Sequence, residues 1–310
     1  MHAGKAISVV ICAYTEKRWD DLLAAVDSVC QQTTPAQEII VVIDHNPALL
    51  QHIHNALSHI TNIIIVENKE MRGLSGARNC GIKQARSPFI AFLDDDAVAA
   101  PDWLQRIQEG LDDTLVLGVG GIVIPLWLKQ PASWFPKEFL WVVGCTYAGM
   151  PQHNHTIRNP IGANMLLRRE IFEHVGGFHN DIGRVGTLPV GCEETELCIR
   201  ARQHWPQGRF LYEPGASVSH RVPAQRTTWR YFCERCYAEG YSKALISKRI
   251  GSQDGLASER TYTLKTLPKG IMRGLKDTLL RRDFAGMARA SAIIMGFSLT
   301  TIGYIVGYLL

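Results

Sequence analysis

The chain has 310 residues, a formal net charge of +4, 46% hydrophobic residues and 20% charged residues. That balance excludes an intrinsically disordered chain, and the length suffices for one large domain or two ordinary ones. The charge is uneven: residues 221–289 carry 15 Lys/Arg against 6 Asp/Glu, residues 1–220 carry 18 against 23, and 290–310 carry none. A basic stretch of this kind is expected to face an anionic partner, and the apolar terminus after it points to a membrane, not to nucleic acid. The eight cysteines are scattered, and Ile7–Cys12 is too short for the apolar stretch of a secretory signal, so a reduced, cytosolic setting is expected. Cys233-x-x-Cys236 has no second such pair and reads as helix packing, not as a zinc or redox centre.

In chain order, Ile7–Cys12 is a short apolar run expected as a strand buried on both faces. Trp19 to Gln31 shows helical spacing through Leu22, Leu23, Val26 and Val29. Ile39–Ile43 is a second buried strand ending at Asp44. A helix over Leu49–Ile60, a strand over Ile63–Val66 and a helix over Ser75–Arg86 follow. Phe89–Leu93 is a fourth strand running straight into Asp94. This βαβαβαβ order predicts a parallel, doubly wound sheet with ligands beyond the carboxyl ends of its strands. Asp44 and Asp94–Asp96 both fall there.

Val116–Ile124 reads as a further strand. Pro125–Gly144 is rich in Trp and Phe, and its three prolines argue against a long helix, leaving a loop or short helix lining a groove. Asn164–Leu167 reads as a strand, Glu193–His204 as a helix with an acidic first turn, and Arg226–Ile250 as a basic helix. Ala290–Leu310 is 21 residues without a charge. At about 1.5 Å per residue such a helix spans roughly 30 Å, one hydrocarbon core. Arg281, Arg282 and Arg289 before it place the chain on the cytoplasmic side. The alternative for this segment is a buried or dimer-forming helix.

Phe92-Leu93-Asp94-Asp95-Asp96 ends an apolar strand in three adjacent carboxylates. They repel one another unless a cation compensates them, and Mg²⁺ or Mn²⁺ takes oxygen ligands shared with substrate phosphates. A solvated acidic turn is the bland alternative.

On ISVVICAYTEKRW, MRGLSGARNCGI, FLDDDA, NPIGANMLLRREIFEHVGGF and VGCEETELCIR, the chain resembles glycosyltransferase family 2 over roughly residues 5–240. The resemblance implies the GT-A fold, an α/β Rossmann-like, mostly parallel sheet flanked by helices, here with a C-terminal helical extension. It divides the chain into a catalytic domain at 1–225, a basic helical extension at 226–289 and a hydrophobic helix at 290–310. Within the catalytic domain the nucleotide-sugar half covers about 1–100 and the acceptor half about 101–225. The implied activity is inverting transfer of a sugar from a UDP- or GDP-linked donor to a hydroxyl of a glycan or polyprenyl-phosphate-linked acceptor, on the cytoplasmic face of a membrane.

By the same resemblance, Ala13, Tyr14, Glu16 and Asp44 hold the nucleotide's base and ribose. The family often has Pro-Thr-Tyr-Asn where this chain has Cys12-Ala13-Tyr14-Thr15, which leaves the base open. Gly73, Ser75, Arg78 and Asn79 fall in the nucleotide-sugar loop, where a guanidinium suits a diphosphate; a surface helix salt bridge is the alternative for Arg78. Asp94 and Asp96 match the outer carboxylates of a DxD motif, with Asp95 between them on the donor side. Asp96 is the implied ligand of Mg²⁺ or Mn²⁺, with Asp94 and His220 as further ligands. Glu193-Glu194 matches an acceptor motif whose second residue is the general base, Glu196 being the nearest rival. Trp134 and Trp141, with Trp127 and Phe135, resemble a branch acting on dolichyl-phosphate-linked sugars, and Arg235 and Tyr237 resemble an acceptor-side pattern. An aromatic core patch is the alternative for the tryptophans. A transferase for exported polysaccharide and a catalytically silent sugar-nucleotide-binding protein are the competing readings. A nucleotidyltransferase is disfavoured because AYTEKRW after the first strand has no glycine.

Overall fold

The computed structural model describes residues 5–151, 155–180, 191–251 and 259–310. They fall into two compact units, one drawing on Met1–Ile124, Pro151–Val185 and Glu193–His220, the other on Pro125–Met150, Gly186–Cys192 and Arg221–Leu310.

The first unit opens with β1 (Ile7–Ala13), α1 (Trp19–Cys30), β2 (Glu38–Ile43), α2 (Pro47–Leu57), β3 (Ile63–Glu67), α3 (Leu74–Gln84) and β4 (Phe89–Asp94). β1 and β2 are buried along almost every residue, as parallel strands covered on both faces must be. α1 turns Leu22, Ala25, Val26 and Val29 inward at three- and four-residue spacing. α2 starts two residues before its expected Leu49: Pro47 supplies a pre-set φ, and Asn46 Oδ1 accepts from Leu49 N at 3.0 Å. β1 pairs in parallel with β2 and β4, and β2 with β3, giving the order β3-β2-β1-β4. The chain winds outward from β1 to β3 and then returns to the other side of β1. A topological switch point therefore lies between β1 and β4, with a ligand crevice at their carboxyl ends. Cys12 sits beside Asp94 in that register.

Past β4 the sheet changes character. It continues through β5 (Ala97–Ala99), β6 (Val116–Trp127), β7 (Thr156–Ile157), β8 (Asn164–Arg168) and β9 (Arg209–Val222), with helices α4 (Trp103–Ile107), α5 (Arg169–Val175) and α6 (Glu193–His204). Nine strands are present among the described residues. The pairs β4–β8, β8–β6, β9–β5 and β9–β7 are antiparallel, so the sheet is mixed, with parallel pairs among its first four strands. Buried Asn164 ties this half together: its amide donates to Ile122 O and Ala216 O, both at 2.9 Å, while its Oδ1 accepts from Trp103 Nε1 at 2.8 Å. Gly121 makes room, since a Cβ there would lie 2.0 Å from Ala216 O.

The second unit contains a 3-10 helix at Lys137–Val143 and three long helices, α7 (Trp229–Ile250), α8 (Leu267–Arg281) and α9 (Ala285–Leu309). α7 begins at Trp229 instead of Arg226 because Ala224–Thr227 forms a 3-10 turn after Pro223 and the Thr228 hydroxyl accepts from Tyr231 N. α9 begins five residues before the apolar segment expected and takes Arg289 into its first turns. It packs on α7 at backbone distance: a Cβ on Gly303 would lie 2.1 Å from Tyr237 O, and one on Gly240 1.9 Å from Thr300 O.

Candidate active site

β4 delivers Asp94, Asp95 and Asp96 to the switch-point crevice, and short β5 then pairs with β9 so that Ala97 faces His220. This antiparallel pairing carries His220 next to Asp96, with Nε2 3.1 Å from Oδ1. Asp94, Asp96 and His220 place ligand atoms within 4.8 Å of one another, Asp96 and His220 buried and Asp94 partly so. Bonds of about 2.1 Å in an octahedron put adjacent ligands roughly 3.0 Å apart, close to the Asp96–His220 separation. Two carboxylates and an imidazole are a donor set that Mn²⁺ or Mg²⁺ accepts. These residues fit a divalent cation.

Arg18 completes the corner and was not among the residues anticipated. Its Nη1 lies 2.7 Å from Asp95 Oδ1 and 3.1 Å from Asp96 Oδ2. Burial, helped by the neighbouring Asp96 and Asp94 charges, pushes the Asp95 carboxyl up to about 7 against the pull of Arg18. Asp95 Oδ2 is buried without a hydrogen-bond partner. The same Arg18 guanidinium stands 5.7 Å from the centre of the half-exposed Tyr14 ring. The signal for Arg18 was in the sequence: three carboxylates need a cation, and the loop after β1 opens onto the same sheet edge as Asp94.

Arg78 is buried on α3, inside the site and not on a surface. It donates to Glu193 Oε1 at 3.0 Å, Asp94 Oδ1 at 3.3 Å and Gly162 O at 3.2 Å. Burial opposes its charge, but Glu193, Asp94 and Glu194 together raise its pKa. Gly162 leaves the space, because a Cβ there would sit 2.7 Å from Arg78 Nη2. Asp44, buried after β2, accepts from Gly73 N at 3.0 Å and Asn68 Nδ2 at 2.6 Å, fixing the turn that starts α3. Gly73 holds φ of 123° there, a value open to glycine. Buried Ser75 lies one turn into α3, and Asn79 exchanges hydrogen bonds with the Phe178 backbone, both at 2.8 Å. Ala13 is buried at the end of β1, whereas Glu16 is exposed and lies 3.3 Å from His52.

The carboxylates opening α6 have different fates. Glu193 is buried on Arg78. Glu196, fully buried, is gripped by Arg200 at 2.7 and 2.8 Å, and Arg200 also donates to Gly177 O. Glu196 thus fastens α6 to the turn after α5. Glu194 is half-buried and adds to the field on Arg78. Trp134, Trp141, Arg235 and Tyr237 belong to the second unit. There Trp134 packs against Trp229 and Phe232, with ring centres at 4.8 and 5.5 Å, and Trp141 Nε1 donates to Tyr262 Oη. Both tryptophans are thus at least partly packing residues. Arg235 is half-buried and Tyr237 exposed on α7.

The model of glycosyl transferase family 2 matches residues 8–176, more than half of the chain. The chain belongs to that family. It is 29% identical over 304 residues to the glucosyl-dolichyl phosphate glucuronosyltransferase of Haloferax volcanii, covering 98% of this chain and 96% of that protein. It is 24% identical over 259 residues to succinoglycan biosynthesis protein ExoM of Rhizobium meliloti, covering 79% and 77%. The structure of mannosyltransferase PcManGT from Pyrobaculum calidifontis, in complex with GDP-Man and Mn²⁺, superposes with a TM-score of 0.60 and 16% identity. That superposition covers 97% of this chain and 88% of the other and shares the GT-A fold.

Proposed function

We propose that this glycosyltransferase moves a sugar, with inversion, from a UDP- or GDP-linked donor to a hydroxyl of a polyprenyl-phosphate-linked glycan at the cytoplasmic face of a membrane. The observation that carries the reading is the Asp94–Asp96–His220 cluster at the switch-point crevice, a divalent-cation site with buried Arg78 donating to Asp94 beside it. Glu193 is paired with Arg78 and Glu196 with Arg200, and Glu194 is assigned as the base on its match to the second residue of the family's acceptor motif. Glu194 accepts the acceptor's hydroxyl proton as its oxygen bonds to the anomeric carbon. The bond from that carbon to the diphosphate breaks, and its electron pair leaves with the nucleoside diphosphate.

Asp94, Asp96 and His220 would hold Mn²⁺ or Mg²⁺, the imidazole favouring Mn²⁺. Bound there, the cation supplies Lewis-acid stabilisation of the departing diphosphate. Tyr14, Glu16, Asp44 and the α3 start from Gly73 to Asn79 form the donor side in this reading. The acceptor class is supported by the Haloferax relative, whose name specifies a dolichyl phosphate sugar, and the nucleotide-sugar by the PcManGT complex. Trp134, Trp141, Arg235 and Tyr237 are assigned to the acceptor side on family pattern.

The test is a panel of UDP- and GDP-sugars with Mn²⁺, following thermal stabilisation and release of nucleoside diphosphate. One donor is expected to stabilise the protein and to be turned over. Glu194→Gln should lower turnover by roughly 10²–10⁴-fold while keeping donor stabilisation, and Asp96→Ala should lose both. Undiminished turnover by Glu194→Gln would overturn the assignment.

A further inference from the structure

We propose that the α8–α9 hairpin seats the protein in the plane of an anionic bilayer, with α9 lying in the interface instead of crossing it. This deepens the membrane reading above and does not depend on which sugar moves. α9 has 25 residues, and an 18-residue stretch of it has a mean hydropathy of 1.7, so length and composition alone would permit a crossing. Its packing does not. A helix that crosses either shows lipid an apolar surface all round or brings its packing partner with it.

The partner is α7. Gly296 lies against Phe232, Gly303 against the Tyr237 carbonyl, and Gly307 against Ala244 and Tyr241, so the two helices stay in contact for more than three turns. Over the same stretch α7 carries Glu234, Arg235, Glu239 and Lys243. Glu239 and Lys243 pair at 3.3 Å and are largely buried, but Glu234 and its partner Arg230 are exposed. Exposed charge is costly in hydrocarbon, so α9 remains where α7 can stay wet.

The opposite face suits an interface. Met287, Ile294, Ile302 and Ile305 are exposed along α9. At the corner between the helices Leu279, Leu280 and Phe284 are 77%, 79% and 80% exposed, an apolar tip with Arg281 and Arg282 beside it. Residues 260–310 contain eight Lys/Arg and two Asp, a net of +6. Both aspartates, Asp277 and Asp283, are held by Arg289 at 3.1 and 2.7 Å. Exposed Lys265, Lys269 and Lys276 add to the basic rim. Apolar insertion with a cationic rim is the complement of an anionic lipid surface.

The test uses the full chain with vesicles of phosphatidylcholine, with and without phosphatidylglycerol, in a flotation assay that involves no sugar transfer. Failure here therefore leaves the proposed activity standing, and loss of turnover leaves this surface standing. Binding is expected to be tighter with phosphatidylglycerol and weaker at high salt. The triple variant Leu279→Glu, Leu280→Glu, Phe284→Glu should bind at least tenfold less. Separately, Leu310→Cys should react with an impermeant thiol reagent added outside intact vesicles, read on the C-terminal peptide by mass spectrometry. Reaction only after detergent means that α9 crosses, and overturns the in-plane arrangement. Salt-insensitive binding without preference for phosphatidylglycerol overturns the anionic partner. A lipid-free dimer that the triple variant makes monomeric, with no vesicle binding by either protein, assigns the face to a second copy.

Discussion

Arg18 and a divalent cation address the same carboxylates, and this overlap decides what Arg18 does. Asp96 offers Oδ2 to Arg18 and Oδ1 to His220, so the guanidinium occupies one side of the residue and the ligand cluster the other. Asp95, pushed up by burial, depends on Arg18 for compensation and leaves its Oδ2 unpartnered. Removing one partner of a buried pair costs several kcal/mol because the other charge stays behind. Arg18 keeps 21% of its side-chain surface in contact with solvent, so a smaller loss of roughly 2–3 kcal/mol is expected for Arg18→Gln in EDTA. Thermal unfolding should show this as a drop of several degrees. Mn²⁺ should then restore more stability to the variant than to the wild type, since it compensates carboxylates that Arg18 no longer serves. An equal deficit with and without Mn²⁺ would reduce Arg18 to packing.

At the scale of elements, the first turns of α6 sort two buried carboxylates onto different arginines, Glu193 onto Arg78 and Glu196 onto Arg200. Glu196 has no exposed surface and two hydrogen bonds from Arg200, whose other contacts hold the turn after α5. Glu196→Ala should therefore lower the unfolding free energy by about 3 kcal/mol, by stranding the part-buried Arg200 guanidinium. Denaturant midpoints against wild type measure the loss, and an unchanged midpoint would remove the role of Glu196 in fastening α6 to the turn after α5. The sequence shows the Glu pair but not this sorting, because the partner of Glu193 lies 115 residues away on α3. β1 to β4 and the Asp94–Asp96 corner were legible because buried parallel strands write themselves as unbroken apolar runs with chemistry at their ends. The antiparallel half was less so: β5 and β7 are only three and two residues long, too short for any periodicity. The pairing that brings His220 to Asp96 depends on that unreadable β5. In α9 the 21 uncharged residues were visible, but which face its glycines turn to α7 depends on Gly240, sixty residues earlier.

For the whole molecule, the two units separate the donor-side chemistry from the helical hairpin. Asp94, Asp96, His220, Arg18, Arg78 and Glu194 all belong to the first unit, and α7, α8 and α9 to the second. A substitution confined to the α7–α9 contact therefore alters the second unit without replacing a residue of the donor-side site. Gly303 is the position to use: a side chain there meets the Tyr237 carbonyl at 2.1 Å, and a helix backbone cannot yield as a flexible side chain can. Gly303→Leu forces the helices apart along Gly296–Gly307, an overpacking cost of about 3 kcal/mol set against helix formation that leucine itself favours. Calorimetry should then resolve two transitions, the lower one shifted down by several degrees relative to wild type. Only the upper one should respond to Mn²⁺ and the nucleotide-sugar, because ligand stabilisation follows the unit that holds the ligand. If the variant instead melts in one lowered transition that the donor still shifts, the two units unfold together. In that case the helical part belongs to the same cooperative structure as the active site.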